Sequence, residues 1–306
     1  CIRDRASKYN RTIAIALPVI SFMALFYLID SAEIKALLGN LGFGAITALA
    51  VISALRPVVG GIRSTVAYRP IAKLNMMDAT KGYVLSAYGS IFLPSAIGGD
   101  LFRIEHMKNA TQTTRGTSLL VAATERILGL FSLIFLTICV LLFDVPIHMP
   151  WYWVGLSVGL IGGVLLSLQF VLNSTPETSA VYRALSYARK YANSKMLASV
   201  FGLSILFQIV SLSIPVLVAY ELDGIDSAKL IALMTPAIAL FSTLPISLGG
   251  LGLREASYVG IGSLLGIDEG VCLISAMSLS VSIILSGIPG IFIQRELFLS
   301  DEAENE

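Results

Sequence analysis

The sequence predicts an all-α polytopic membrane protein, and three observations carry that prediction. Hydrophobic residues make up 56% of the 306-residue chain and charged residues 13%, where soluble domains carry about 25% charge. Apolar runs of spanning length recur along the chain, and two more are interrupted by the same Pro and Gly-Gly pattern. The mean hydropathy is +0.82. Lys+Arg 21 against Asp+Glu 20 leaves a net charge of +1, so no basic excess exists for a nucleic-acid footprint and charge informs only through local asymmetry.

A helix needs about 17 to 25 apolar residues to cross the hydrocarbon core. The runs 12–29, 41–61, 117–143, 151–172, 196–219 and 271–293 qualify. Two further stretches, 82–102 and 229–266, are broken by Leu-Pro-Ser-Ala-Ile-Gly-Gly at 93–99 and by Leu-Pro-Ile-Ser-Leu-Gly-Gly at 244–250. The expected architecture is about six full transmembrane helices plus two broken, re-entrant helical hairpins. If the broken stretches cross fully, the alternative is eight transmembrane helices.

Orientation follows from where Lys and Arg gather beside the spans. Arg3, Arg5, Lys8 and Arg11 make the N-terminal arm basic, and Arg63, Arg69, Lys73 and Lys81 do the same for 63–81. Lys108 and Arg115 mark the connection before the run at 117, and Arg183, Arg189, Lys190 and Lys195 mark 173–195. Glu221, Asp223, Asp226, Asp268 and Glu269 mark the opposite side. On this assignment the first broken stretch begins and ends inside, the second begins and ends outside, and both termini are cytoplasmic.

The two breaks are related by an internal repeat. Leu93-Pro94 and Gly98-Gly99 recur as Leu244-Pro245 and Gly249-Gly250, a shift of 151 residues (244 less 93) that also carries Arg103 onto Arg254. The chain therefore reads as one membrane domain, 1–306, with halves of about 1–146 and 147–296 and an acidic tail at 297–306. Interrupted hydrophobic segments at matching positions of inverted halves point to a midplane site lined by broken helices. Backbone freed at such breaks is tolerated only against protein or a watery cavity, so Pro94, Gly98, Gly99, Pro245, Gly249 and Gly250 are expected to line one.

Few residues could carry chemistry there. A helix restarting after each Gly-Gly offers free N–H groups to an anion, and Arg103 and Arg254 stand about one turn further on. Asp100 could instead cap the first of these helices. Glu125 and Arg126 lie deep in an apolar run, where ionisable groups are costly and seek partners. They point about 100° apart, so each pairs elsewhere, Glu125 with Arg103 or Arg254. Arg56, ahead of Pro57, reads as snorkelling to the inner interface. Ser204, Gln208, Ser211 and Ser213 read as packing hydrogen bonds between helices. Glu105-His106 reads as a solvated pair, and Cys139 and Cys272 as small buried hydrophobes. The two histidines, His106 and His148, form no metal motif, and neither a cofactor fingerprint nor a nucleophile elbow occurs. No cofactor, metal or enzymatic activity is expected.

In combination, Leu93-Pro94-Ser95-Ala96-Ile97-Gly98-Gly99-Asp100, Glu125-Arg126-Ile127-Leu128-Gly129-Leu130 and the run from Leu244 to Leu251-Gly252-Leu253-Arg254-Glu255 resemble the signatures of the lysylphosphatidylglycerol synthase transmembrane region, a flippase-like family. Fused members of that family join the membrane domain to a soluble aminoacyl transferase; this chain resembles the stand-alone form. The resemblance implies translocation of a phospholipid, aminoacyl-phospholipid or polyprenyl-linked lipid between leaflets of a bacterial or archaeal cytoplasmic membrane. It implies headgroup binding by Arg103, Arg254, Glu125, Arg126, Glu255 and Asp100. Membrane lipids are the implied partners, with a separately encoded lipid synthase or glycosyltransferase, or a second copy, as further ones. The alternatives are a partner subunit of such a system, or an enzyme on a lipid-linked substrate. Arg56 followed by Pro57 departs from the family's pattern of an aromatic after that arginine.

Overall fold

The computed structural model describes residues 37–92, 98–142, 193–242 and 252–294. The expected runs at 12–29 and 151–172, the basic N-terminal arm, Arg183, Arg189 and Lys190, the expected breaks at Pro94, Pro245, Gly249 and Gly250, His148 and the acidic tail lie outside the described residues. Within them the chain is all-helical: α1 Phe43–Tyr68, α2 Met76–Phe92, α3 Gly98–Thr111, α4 Arg115–Leu142, α5 Ser194–Ser242, α6 Leu253–Leu264 and α7 Glu269–Gly287. Four of these, α1, α4, α5 and α7, are long and apolar enough to cross a membrane. Phe43, Leu101 and Phe292 are exposed apolar residues on the exterior.

Each expected run that falls within the described residues has its helix, with two adjustments. α1 continues to Tyr68 rather than ending at 61, because Arg63 and Ser64 in its last turns find buried partners and need not reach water. α5 is two helices end to end, 194–223 and 225–242, divided at Gly224, whose φ of 85° favours glycine.

The halves of the described chain match helix for helix. Shifted by 151 residues, α1 falls on 194–219, α2 on 227–243, α3 on 249–262 and α4 on 266–293, against the two arms of α5, then α6 and α7. Direction is set by side-chain bonds across the centre. Arg56 Nε donates to Ser211 Oγ at 3.1 Å and Arg63 Nη1 to Ser204 Oγ at 3.2 Å. Ascending α1 thus pairs with descending α5, the antiparallel relation an inverted repeat requires.

The described helices on either side of each broken stretch pack against one another. In the first, Gly82 lies against Arg103 and His106, and a Cβ on Gly89 would stand 3.0 Å from Gly99 Cα, so α2 and α3 run in opposite directions at glycine-close range. In the second, Thr235 Oγ1 and Tyr258 OH bond at 2.8 Å, joining the second arm of α5 to α6. Buried Ile214, Ile231, Met234, Ile238, Tyr258, Cys272 and Ala276 form the larger core there. A second core of Ala67, Tyr68, Ala79, Met107 and Val200 closes one end of the bundle. Arg69, Lys73, Lys108, Arg115 and Lys195 lie on the segments around that second core. Glu221, Asp223, Asp226, Asp268 and Glu269 flank the opposite end, near Leu222 and Ile267.

The turn from α3 to α4 is pinned by charge. Glu105 binds Arg115 Nε at 2.6 Å and Lys108 Nζ at 3.0 Å, and these hydrogen bonds, Arg115's foremost, hold its carboxyl below the usual range. A depressed carboxylate stabilises the fold at neutral pH and loses that contribution as pH falls through the lowered value. At such an exposed site the contribution is at most about 1 kcal/mol. His106 is not part of a solvated pair: it is buried, with Nε2 3.0 Å from the Asp78 carbonyl.

α7 docks on α2 through Gly287, where an added Cβ would stand 2.9 Å from the backbone nitrogen of Tyr88. Backbone cannot yield cheaply, so Gly287→Ala should cost roughly 1–3 kcal/mol. Gly202 has nothing within 4 Å of its Cβ position, and Gly202→Ala should gain roughly 0.5–1 kcal/mol of helix stability. Thermal melts of the two detergent-solubilised variants should therefore move in opposite directions from the wild type.

Candidate functional site

The first hairpin, α1 and α4 bury a carboxylate. Glu125 is 1% exposed. Its Oε1 accepts from Ser64 Oγ of α1 at 2.7 Å, and its Oε2 accepts from Tyr83 OH of α2 and from Arg103 Nη1 of α3, both at 2.9 Å. Of the two arginines expected as partners, Arg103 is the one that reaches it. Arg63 Nη2 stands 3.8 Å from the same oxygen and 2.5 Å from Tyr83 OH. Its guanidinium also lies 4.9 Å from the Phe207 ring centre, and that of Arg103 lies 4.7 Å from the Tyr83 ring centre. Both are cation–π distances.

Asp100 and Arg126 form a second couple beside the first. α3 begins at Gly98, so Asp100 stands inside its first turn rather than at its cap. Its carboxylate accepts from Arg126 Nε and, at 3.0 Å, from Ser86 Oγ, with Arg103 Nε 3.6 Å away. Glu125 and Arg126 thus pair in different directions, as adjacent residues on a helix must.

A cavity of about 240 Å³ opens against this network, lined by Arg56, Arg63, Tyr83, Asp100, Arg103 and Arg126, with Ser86, Ser90, Phe207, Ile283 and Ser286 also in its wall. Arg56 differs from the other cations. It donates to Ser211 Oγ at 3.1 Å and to Ser282 Oγ at 3.0 Å, and among the described residues no carboxylate lies within ion-pair distance of it. Rather than snorkelling to the interface, Arg56 points into the bundle, where Pro57 beside it also lines the cavity.

Arg254 and Glu255 form a separate unit. Arg254 Nη2 lies 2.9 Å from Glu255 Oε1 and also donates to Ser280 Oγ, and neither Arg254 nor Glu255 is among the cavity's lining residues. Glu255 Oε2 accepts from the Gly252 N–H at 2.7 Å, and Gly252 holds φ 79°. The α6 N-terminus is therefore closed by its own carboxylate, which corrects the expectation that its free N–H groups await an anion.

The structure thus joins Arg103, Glu125, Asp100 and Arg126 in one network, leaves Arg254 with Glu255 apart, and opens α3 with Gly98 and Gly99. Reading the sequence missed Arg63, Ser64 and Tyr83. Arg63 looks like the first cation of a basic loop, but it lies seven residues after Arg56 on one apolar helix, two turns on the same face.

Residues 12–288 match the lysylphosphatidylglycerol synthase TM region. The chain belongs to that family. It is an integral membrane protein, and its family ties the domain to lipid handling. A comparison with curated proteins returned no match.

Removing one partner of a buried ion pair strands the other, at about 3–5 kcal/mol. Glu125→Gln should therefore lower the melting temperature in detergent sharply. Adding Arg103→Met to it should restore part of the loss, because the stranded cation goes with it.

Proposed function

We propose that this lipid-family membrane domain moves an anionic lipid headgroup between leaflets, holding it in the cavity lined by Arg56, Arg63, Arg103 and Arg126. The observation that carries this reading is Arg56, a cation inside a spanning helix held by serine hydroxyls. A charge in that setting is costly without a counterion, and a ligand phosphate supplies one. Guanidinium forks match phosphate oxygens, so the lining suits the phospholipid, aminoacyl-phospholipid and polyprenyl-linked lipids that the family resemblance suggests. At about 240 Å³ the cavity is smaller than the roughly 300–1,000 Å³ of drug-sized ligand sites. It suits a headgroup whose chains stay in lipid.

The reading makes the domain a carrier rather than an enzyme. Glu125, the acid best placed for proton transfer, is engaged by Ser64, Tyr83 and Arg103. A polar cavity lowers the cost of drawing a headgroup out of water, and rocking of the antiparallel halves would expose it alternately. By the positive-inside rule, the end bearing Arg69, Lys73, Lys108 and Arg115 would face the cytoplasm of a bacterial or archaeal cell, with both termini on that side. A separately encoded synthase or glycosyltransferase would supply or consume the lipid.

Leaflet-resolved scrambling in proteoliposomes tests the reading, with fluorescent phosphatidylglycerol, its lysyl ester and a polyprenyl phosphate as probes. Movement of at least one lipid is expected, and Arg56→Gln and Arg103→Gln should each reduce its rate at least tenfold. No movement of any probe by folded protein would sink it.

A further inference from the structure

The cavity's charge is unbalanced in a way that names its ligand. Arg63 and Arg103 share one carboxylate, Glu125. Arg126 and Asp100 neutralise each other. Arg56 adds a cation that, among the described residues, no carboxylate pairs. Among the described residues, four guanidinium groups less two carboxylates leave two positive charges, and omitting the Arg126–Asp100 couple leaves the same two. The count therefore rests on Arg56, Arg63, Arg103 and Glu125, of which the last three are less than a tenth exposed.

Two uncompensated charges among membrane helices call for two opposite ones, since the desolvation cost of burying a charge is met only by a close counter-charge. A phosphodiester brings one negative charge, a zwitterionic headgroup a net of none, and a lysyl ester of phosphatidylglycerol a net positive one. A phosphomonoester brings about two at neutral pH. We propose that the cavity is selective for a dianionic phosphate, the phosphomonoester or diphosphate end of its ligand, over phosphodiester, zwitterionic and aminoacylated headgroups. This rests on the anion-binding reading above and goes beyond it by setting the ligand's charge. It ranks aminoacylated lipid last among the candidates, although the family's name would suggest it first.

The test is competition binding on the purified full chain in detergent. Its probes are dioctanoyl phosphatidic acid, dioctanoyl phosphatidylglycerol and its lysyl ester, and inorganic phosphate. At pH 8 phosphatidic acid should bind about tenfold tighter than phosphatidylglycerol, the scale of one further charge interaction in a partly screened site. Its affinity should fall about tenfold by pH 5, below the second ionisation of a phosphomonoester near 6. Phosphatidylglycerol has no ionisation in that window. It therefore reports any titration of the protein itself, including Asp100, Glu125, Tyr83 and the nearby His106.

Arg56→Gln, which leaves one net charge, should bring the two lipids to near-equal affinity, while Arg56→Lys should keep the preference. Inorganic phosphate competing as strongly as phosphatidic acid would support the charge rule and assign the dianion to a soluble ester. Equal binding of the two lipids to wild type, or a flat pH profile for phosphatidic acid, overturns the proposal whatever the variants do. The two readings fail separately. Scrambling of phosphatidylglycerol as fast as phosphatidic acid would leave transport standing and remove the charge rule. A phosphatidic acid preference in binding with no lipid moved would do the reverse.

Discussion

The Glu125 carboxylate is the constraint on which the rest of the first half depends. It sits on α4 and accepts hydrogen bonds from Ser64 on α1, Tyr83 on α2 and Arg103 on α3. A buried carboxylate is tolerable only when its oxygens are satisfied by well-aimed donors. One side chain therefore sets the register of four helices at once. Arg63 extends the network to α5 through Ser204 and the Phe207 ring. The hairpin of α2 and α3 approaches closely enough for this because glycines stand where side chains would hold the helices apart.

The backbone repeats, but the polar network does not. Carried forward 151 residues, Arg103 meets Arg254, while Arg63, Tyr83 and Glu125 meet Ile214, Met234 and Ala276. Those three replacements all belong to the larger apolar core. The second half has thus turned the equivalent of the ionic cluster into hydrophobic packing, and its arginine takes a carboxylate from its own neighbour, Glu255. The cavity lies against the first hairpin for this reason. Near-symmetric architecture here carries a one-sided site, with Arg56 at the seam where α1 meets α5 and α7.

Much of the site was legible from sequence because membrane helices make ionisable residues conspicuous. Glu125, Arg126, Asp100 and Arg103 stand out as charges in or beside apolar runs, and the structure joins all four. The arginines of α1 were harder. Arg63 falls at the edge of a basic stretch and resembles a loop cation, yet the helix continues past it to Tyr68. Arg56 resembles an interfacial anchor, because its partners are hydroxyls, and serines scattered through apolar runs carry little signal. Tyr83 and Ser64 are ordinary residues until a carboxylate is set beside them.

Sequence by itself determined the class of fold, the positions of the described helices, the repeat and the segregation of basic from acidic connections. These follow from hydrophobic length, helix-breaking residues and local charge, which act within about twenty residues of chain. Tertiary structure decided which cations are neutralised and which is left to serine. Arg56 meets Ser282 across 226 residues and Arg103 meets Glu125 across 22, and such pairings exist only once helices pack at fixed register. Electrostatic compensation works over a few ångströms in a medium that screens poorly, so a charge's meaning here depends on which helix lies against it.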